Sequence, residues 1–209
     1  TDSAGALGWS KKENGSIVGS KFVNNCASIG GAVFLNNGSD FLIMDSIFEN
    51  NTVSEKGGAV FWDSGNEGSI VGSSFIGNQA DGYGGAVFWD SGNEGSIVGS
   101  SFIGNSVDGY GGAIFWNITD SGNITDCLFE NNVAYDGGAL YFKGDNGVIR
   151  GSNFTYNVAN YNGAVLMSSV QGSVVDCIFA NNVATDSAGA LGWSKKENGS
   201  IVGSKFVNN

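Results

Sequence analysis

The sequence predicts an all-β fold: one right-handed parallel β-helix of about eight coils, each 25–27 residues long. Three observations predict it. The second glycine of a Gly-Gly-Ala-aliphatic motif, or its equivalent, falls at Gly5, Gly31, Gly58, Gly85, Gly112, Gly138, Gly163 and Gly189, in steps of 26, 27, 27, 27, 26, 25 and 26. Phe-x-x-Asn keeps the same beat, from Phe22 and Asn25 to Phe206 and Asn209. The composition suits strands and turns: 35 Gly, no Pro, and short β-branched or aromatic runs bounded by Gly, Asn, Asp and Ser. Helical repeats run longer, about 33–47 residues, and need helix formers. A leucine-rich repeat would need a Leu-x-x-Leu-x-Leu frame, which is absent.

Within each coil we expect three short strands and three bends. Five residues before each Phe stands an aliphatic column: Ile17, Ile43, Ile70, Ile97, Ile124, Ile149, Val174 and Ile201. It should face in. Two before the Phe is a small column of Ser20, Ser46, Ser73, Ser100, Cys127, Ser152, Cys177 and Ser204. The residues beside it, mixing Lys21 with Ile47 and Asn153, should face water. Five after the Phe lies another small apolar column, with Ala27, Val53, Ala80, Val107 and Ala134. The asparagines at Asn25, Asn51, Asn78, Asn105, Asn132, Asn157, Asn182 and Asn209 are expected to stack inward as a ladder, each amide bonding its neighbour along the axis. The alternative is that they serve only as turn formers. Length varies only in the bends, which holds strand register, since a one-residue slip would exchange a strand's faces.

The chain reads as one array over residues 1–209. Residues 185–209 restate residues 1–25, an offset of 184 that spans seven short periods. Both end coils look like ordinary coils without caps, so we expect the array to continue beyond both, by covalent extension or by end-to-end stacking.

A net charge of −11 argues against nucleic acid or anionic membrane as partner. No run approaches the ~18 apolar residues of a membrane span. Cys127 and Cys177 share a column two coils apart, roughly 9–10 Å at strand spacing, beyond disulfide reach. Asn-x-Ser/Thr acceptors stand at Asn14, Asn37, Asn50, Asn117, Asn123, Asn153 and Asn198, all on columns or loops expected to face out.

Two aromatic columns are adjacent in sequence. One holds Phe34, Phe61, Phe88, Phe115 and Tyr141; the next holds Trp62, Trp89, Trp116 and Phe142. In a regular strand they point to opposite faces. We expect the Trp column inside and the Phe column outside, as an exposed stripe for lateral contact between shafts, unless a bend covers it. Catalysis has little to work with. The one arginine, Arg150, lies between Asp126 and Asp176, an arrangement that fits a surface ion pair. Stacked acidic loops place Asp63 near Asp90 and Glu67 near Glu94. These are weak calcium candidates beside the simpler reading of a solvated acidic loop. No cofactor is implied.

Gly-Gly-Ala-[Ile/Leu/Val] paired with Phe-x-x-Asn over essentially the whole chain resembles the repeats of chlamydial polymorphic outer membrane proteins. It looks equally like the large adhesin-like β-helix proteins of methanogenic archaea. The resemblance implies a cell-surface or extracellular β-helix with a role in adhesion. The chain shows no autotransporter barrel, so it lacks that part of the chlamydial pattern. The expected function is a structural filament, stalk or scaffold that associates with itself. The alternative is an adhesin holding a glycan through the aromatic stripe, and a polysaccharide-active enzyme comes last.

Overall fold

The computed structural model describes residues 4–10, 14–118, 120–194 and 198–209. It is an all-β parallel solenoid. Like strands of successive coils pair in parallel, and the pairs line up into three sheets of eight strands and one of seven among the described residues. One coil shows the order: Val60–Trp62 in the first sheet, Ser69–Val71 in the second, Ser74–Ile76 in the third and Gln79–Ala80 in the fourth.

The fourth sheet corrects the expectation of three strands per coil. Its strands are as short as two residues, as at Gln79–Ala80. Their inward side chains are small, and Val53, Ala80, Val107 and Ala134 form a cluster of their own. A column of Ala and Val carries little strand signal in sequence, although the stacking of coils pairs it well.

Four strands need four corners, and the corners share one construction. Each has a positive-φ residue just before its inward-pointing one: Glu67 at 58°, Gly72 at 55°, Gly77 at 60° and Gly84 at 62°, the first corner adding Gly65 at 128°. Asp45 and Asn50 fill two of the same columns one coil earlier, at 49° and 52°. Gly, Asn and Asp enter this region most easily. The residue after each corner then points into the solenoid and must be small or self-pairing. At Gly85 a Cβ would strike the carbonyl oxygen of Gly112 on the next coil, so the marked glycine of every coil has no room for a side chain.

The asparagine column is a continuous ladder. The main-chain N–H and Nδ2 of Asn78 both donate to Oδ1 of Asn105, each at 3.0 Å. Nδ2 of Asn78 also donates back to the Phe48 carbonyl at 3.0 Å. Oδ1 of Asn78 in turn accepts from the N–H and Nδ2 of Asn51 at 3.0 and 2.9 Å. Both donors and both lone-pair sites of the amide are thus used, and Asn51, Asn78, Asn105, Asn132, Asn157 and Asn182 are buried. A hydroxyl ladder runs beside it, in which Ser73 N–H donates to Ser100 Oγ at 3.1 Å. Cys127 and Cys177 occupy that column as buried free thiols, and burial pushes the Cys127 thiol up to about 12. Cys26 is exposed.

The core between the sheets is stacked rather than interdigitated. Phe48 and Phe75 lie 4.8 Å apart at 3°, and Phe75 and Phe102 repeat the spacing at 5°. Trp62 and Trp89 stack at 4.2 Å, with Trp116 4.6 Å beyond. Identical side chains one coil apart fall at the strand spacing, so like lies on like. Among the described residues, the indole nitrogens of Trp9 and Trp62 are buried with no hydrogen-bond partner.

If the amide ladder stabilises the shaft, replacing Asn105 by Leu strands the donors of Asn78 and lowers unfolding free energy by about 1–3 kcal/mol. Ser101→Ala, at a half-buried outward hydroxyl of the neighbouring strand, should shift it by less than about 0.5 kcal/mol. Denaturant titration of both variants measures the contrast, and equal shifts would contradict a structural role for the ladder.

Candidate binding cleft on the outer face of the first sheet

The first-sheet strands alternate as β-strands must. Val87 and Trp89 point into the main core, while Phe88 and Asp90 point away from it. The Phe column therefore lies on the outer face, but it is not exposed. Phe61, Phe88 and Phe115 retain only 6%, 3% and 5% of their surface, and Phe34 and Tyr141 are partly covered beside them. This corrects the expected open stripe and removes the surface through which these residues would have met a second shaft.

Two flanking columns supply the cover. On one side, Lys56, Tyr83, Tyr110 and Asp136 follow one another by parallel bridges at the corner between the fourth and first sheets. On the other, Asp63, Asp90, Asn117 and Lys143 each follow the inward aromatic residue of their coil. The Phe column is thus the floor of a groove with two walls. At its middle is a cleft of about 240 Å³ lined by Lys56, Tyr83, Phe88, Asp90, Phe115, Asn117 and Lys143.

The floor and the two lysines form one stack. Phe88 and Phe115 lie parallel, 5.3 Å apart at 8°. Lys56, one rung before Phe88, places Nζ 5.0 Å from that ring's centre and 5.8 Å from that of Tyr83. Lys143, one rung after Phe115, places Nζ 5.9 Å from its ring. The ring faces attract both ammonium groups. Among the described residues, the ion pairs within 4.0 Å are Lys21–Glu49 at 2.9 Å and Arg150–Asp176 at 3.8 Å. The two cleft lysines thus have rings, not carboxylates, as their close partners.

The other wall changes character along the axis. Burial and the neighbouring Asp90 carboxylate hold Asp63 above the usual carboxylate range, partly offset by Lys56. Asp90 Oδ1 accepts Nδ2 of Asn117 at 2.7 Å. The wall therefore runs from two acids, through a neutral amide, to Lys143.

The structure brings some candidate residues together and leaves others apart. Asp63 and Asp90 meet in this wall, while Glu67 and Glu94 are exposed corner residues with φ of 58° and 61°. Among the described residues no three acidic, cysteine or histidine side chains converge on one metal position. Arg150 reaches Asp176 from the surface, with both side chains more than half exposed. Of the glycosylation candidates, Asn14, Asn50, Asn123, Asn153 and Asn198 are exposed, Asn37 is half-buried, and Asn117 is half-buried with its amide engaged in the wall. Thr119, which completes the acceptor at Asn117, lies outside the described residues.

The tyrosine wall was not among the sequence candidates. Tyr83 and Tyr110 stack at 5.8 Å, Tyr110 meets Tyr135 at 6.3 Å, and Tyr135 meets Tyr161 at 5.4 Å. A usable signal existed. Tyr83, Tyr110 and Tyr161 each stand two residues before the marked glycine, at a corner that must lie against the first sheet.

The wall's charge pattern has a pH signature. A carboxyl whose folded pKa is raised stabilises the fold below its unfolded pKa, and that stability is lost as pH rises through the folded value. Asp63→Asn should therefore raise the melting temperature at pH 7, and the gain should vanish near about pH 3, where the carboxyl is protonated in both states. Thermal melts at the two pH values test the sign; a lower melting temperature at pH 7 would contradict it.

Comparison with known proteins reaches the coil itself. The Chlamydia polymorphic membrane protein repeat matches residues 45–61, 72–88, 99–115 and 126–143, together about a third of the chain. Each window runs from one positive-φ corner through Phe-x-x-Asn and the marked glycine to the floor of the groove, the last continuing to Lys143 in the wall. No curated protein and no solved structure matches the chain. Four successive coils are thus similar to the Chlamydia polymorphic membrane protein repeat.

Proposed function

We propose that the chain is a surface scaffold with an adhesin-like role: an extracellular shaft that holds a glycan-binding groove away from the cell. The observation that carries the reading is the walled groove on the outside of a repetitive fold. A cleft whose walls offer lysines, an acid, an amide and a tyrosine supplies the polar groups that orient a sugar's hydroxyls. The repeat match supports the surface setting, since that repeat is described from a polymorphic membrane protein. An enzyme is the weaker reading, because Arg150 is a surface ion-pair residue and the acids in the wall are engaged with Asn117 and each other.

A specific observation keeps self-association as a second reading. Val133, Val158 and Val183 follow one another in register on the outer face of the fourth sheet and are 46%, 39% and 50% exposed. Lateral bundling of shafts would use this apolar row rather than the Phe column.

A glycan array probed with the purified chain tests the adhesive role. Binding confined to a subset of glycans and competed by the soluble sugar is the expected result. Retention of no glycan, with concentration-dependent assembly in ultracentrifugation, would leave only the scaffold. Release of sugar fragments from a polysaccharide would overturn the non-enzymatic reading.

A further inference from the structure

The cleft has a more specific chemistry than a generic sugar platform. Its size is one constraint: about 240 Å³ falls below the roughly 300–1,000 Å³ of most small-molecule pockets. It is large enough to hold one pyranose ring. Charge is a second. In a chain of net charge −11, Lys56 and Lys143 face the same small cleft without a carboxylate in ion-pairing distance among the described residues. The two differ, because Asp63 lies close enough for Lys56 to offset its upward shift. Lys143 follows the neutral Asn117 along the wall, at the end away from Asp63 and Asp90.

Hydrogen bonding is the third constraint. Asp90 spends Oδ1 on the Asn117 amide. A carboxylate keeps further acceptor capacity, so Asp90, which lines the cleft, suits a ligand donor at this end and Lys143 an anion at the other. Phe88 and Phe115 line the bottom of the cleft but are 3% and 5% exposed, so the surface a ligand meets there is largely polar.

We propose that this cleft is a subsite for one carboxylated pyranose, a hexuronate or a similar acidic sugar at the end of a glycan. Its carboxylate pairs with Lys143 and a hydroxyl donates to Asp90, between the lysines that bracket the Phe88–Phe115 stack. The proposal rests on the adhesive reading above and names what the groove selects. A long polyanion is a poor ligand, since the overall negative charge repels it at a distance while a single acid meets only the local cation.

Saturation-transfer NMR with the full chain tests this, using methyl glucuronide and methyl glucoside as probes. Glucuronide should bind about tenfold more tightly than glucoside, the worth of one charge-assisted hydrogen bond. Lys143→Gln should erase that preference, and Lys205→Gln, on another sheet, should leave it intact. Circular dichroism melts establish that both variants remain folded. Equal binding of the two sugars by the native chain, or a preference that survives Lys143→Gln, overturns the acidic subsite. Array binding undiminished by Lys143→Gln would place adhesion elsewhere on the shaft, sinking the subsite and sparing the adhesive reading. An array without any binding would sink both.

Discussion

Everything in this shaft depends on axial register: each inward residue must lie on its counterpart one coil away. At roughly 4.8 Å per coil, an asparagine finds the next asparagine at hydrogen-bond distance, a phenyl ring finds a ring at stacking distance, and a glycine finds a carbonyl oxygen where a side chain would be. The amide ladder states the constraint most strictly. Each amide satisfies its neighbours' main chain as well as their side chains, so one shifted coil would strand donors on both sides. The positive-φ corners serve the same end, because they set where the chain turns and so which residue points in.

Outward columns are released from that constraint, and the cleft is made of them. The floor column changes from Phe61, Phe88 and Phe115 to Tyr141 and then Leu166, and the wall column from Asp63 and Asp90 to Asn117 and Lys143. Such drift along the axis makes the coils around Phe88 and Phe115 differ from their neighbours. The two lysines bracket two stacked rings only because the wall columns change identity at these coils. A strictly uniform repeat would have produced a uniform groove with no position at which a single ligand is preferred.

Much of this was legible in the columns. The aliphatic positions from Ile17 to Val174 and the Asn positions from Asn51 to Asn182 face in, as a column that never admits charge should. Two features were not legible, for related reasons. The fourth strand is short and carries Ala or Val at its inward positions, which reads as a bend until neighbouring coils pair it. The fate of the Phe column depended on residues from another part of the coil. Alternation places Phe88 outside the core, and that is correct, but exposure depends on what covers it. Tyr83 and Lys56 reach it only after the corner before the marked glycine has turned. Column reading settles direction within a strand and is silent on contacts across a corner.

Side-chain amide hydrogen exchange tests the central claim most directly. With the asparagine amides assigned by NMR, the Nδ2 protons of Asn78, Asn105, Asn132 and Asn157 should be protected to the same degree as the main-chain amides of their own coils, because both are released only when a coil opens. Exchange of these protons at the rate of an exposed amide such as Asn153, in a folded shaft, would show that the ladder is not what holds the coils in register.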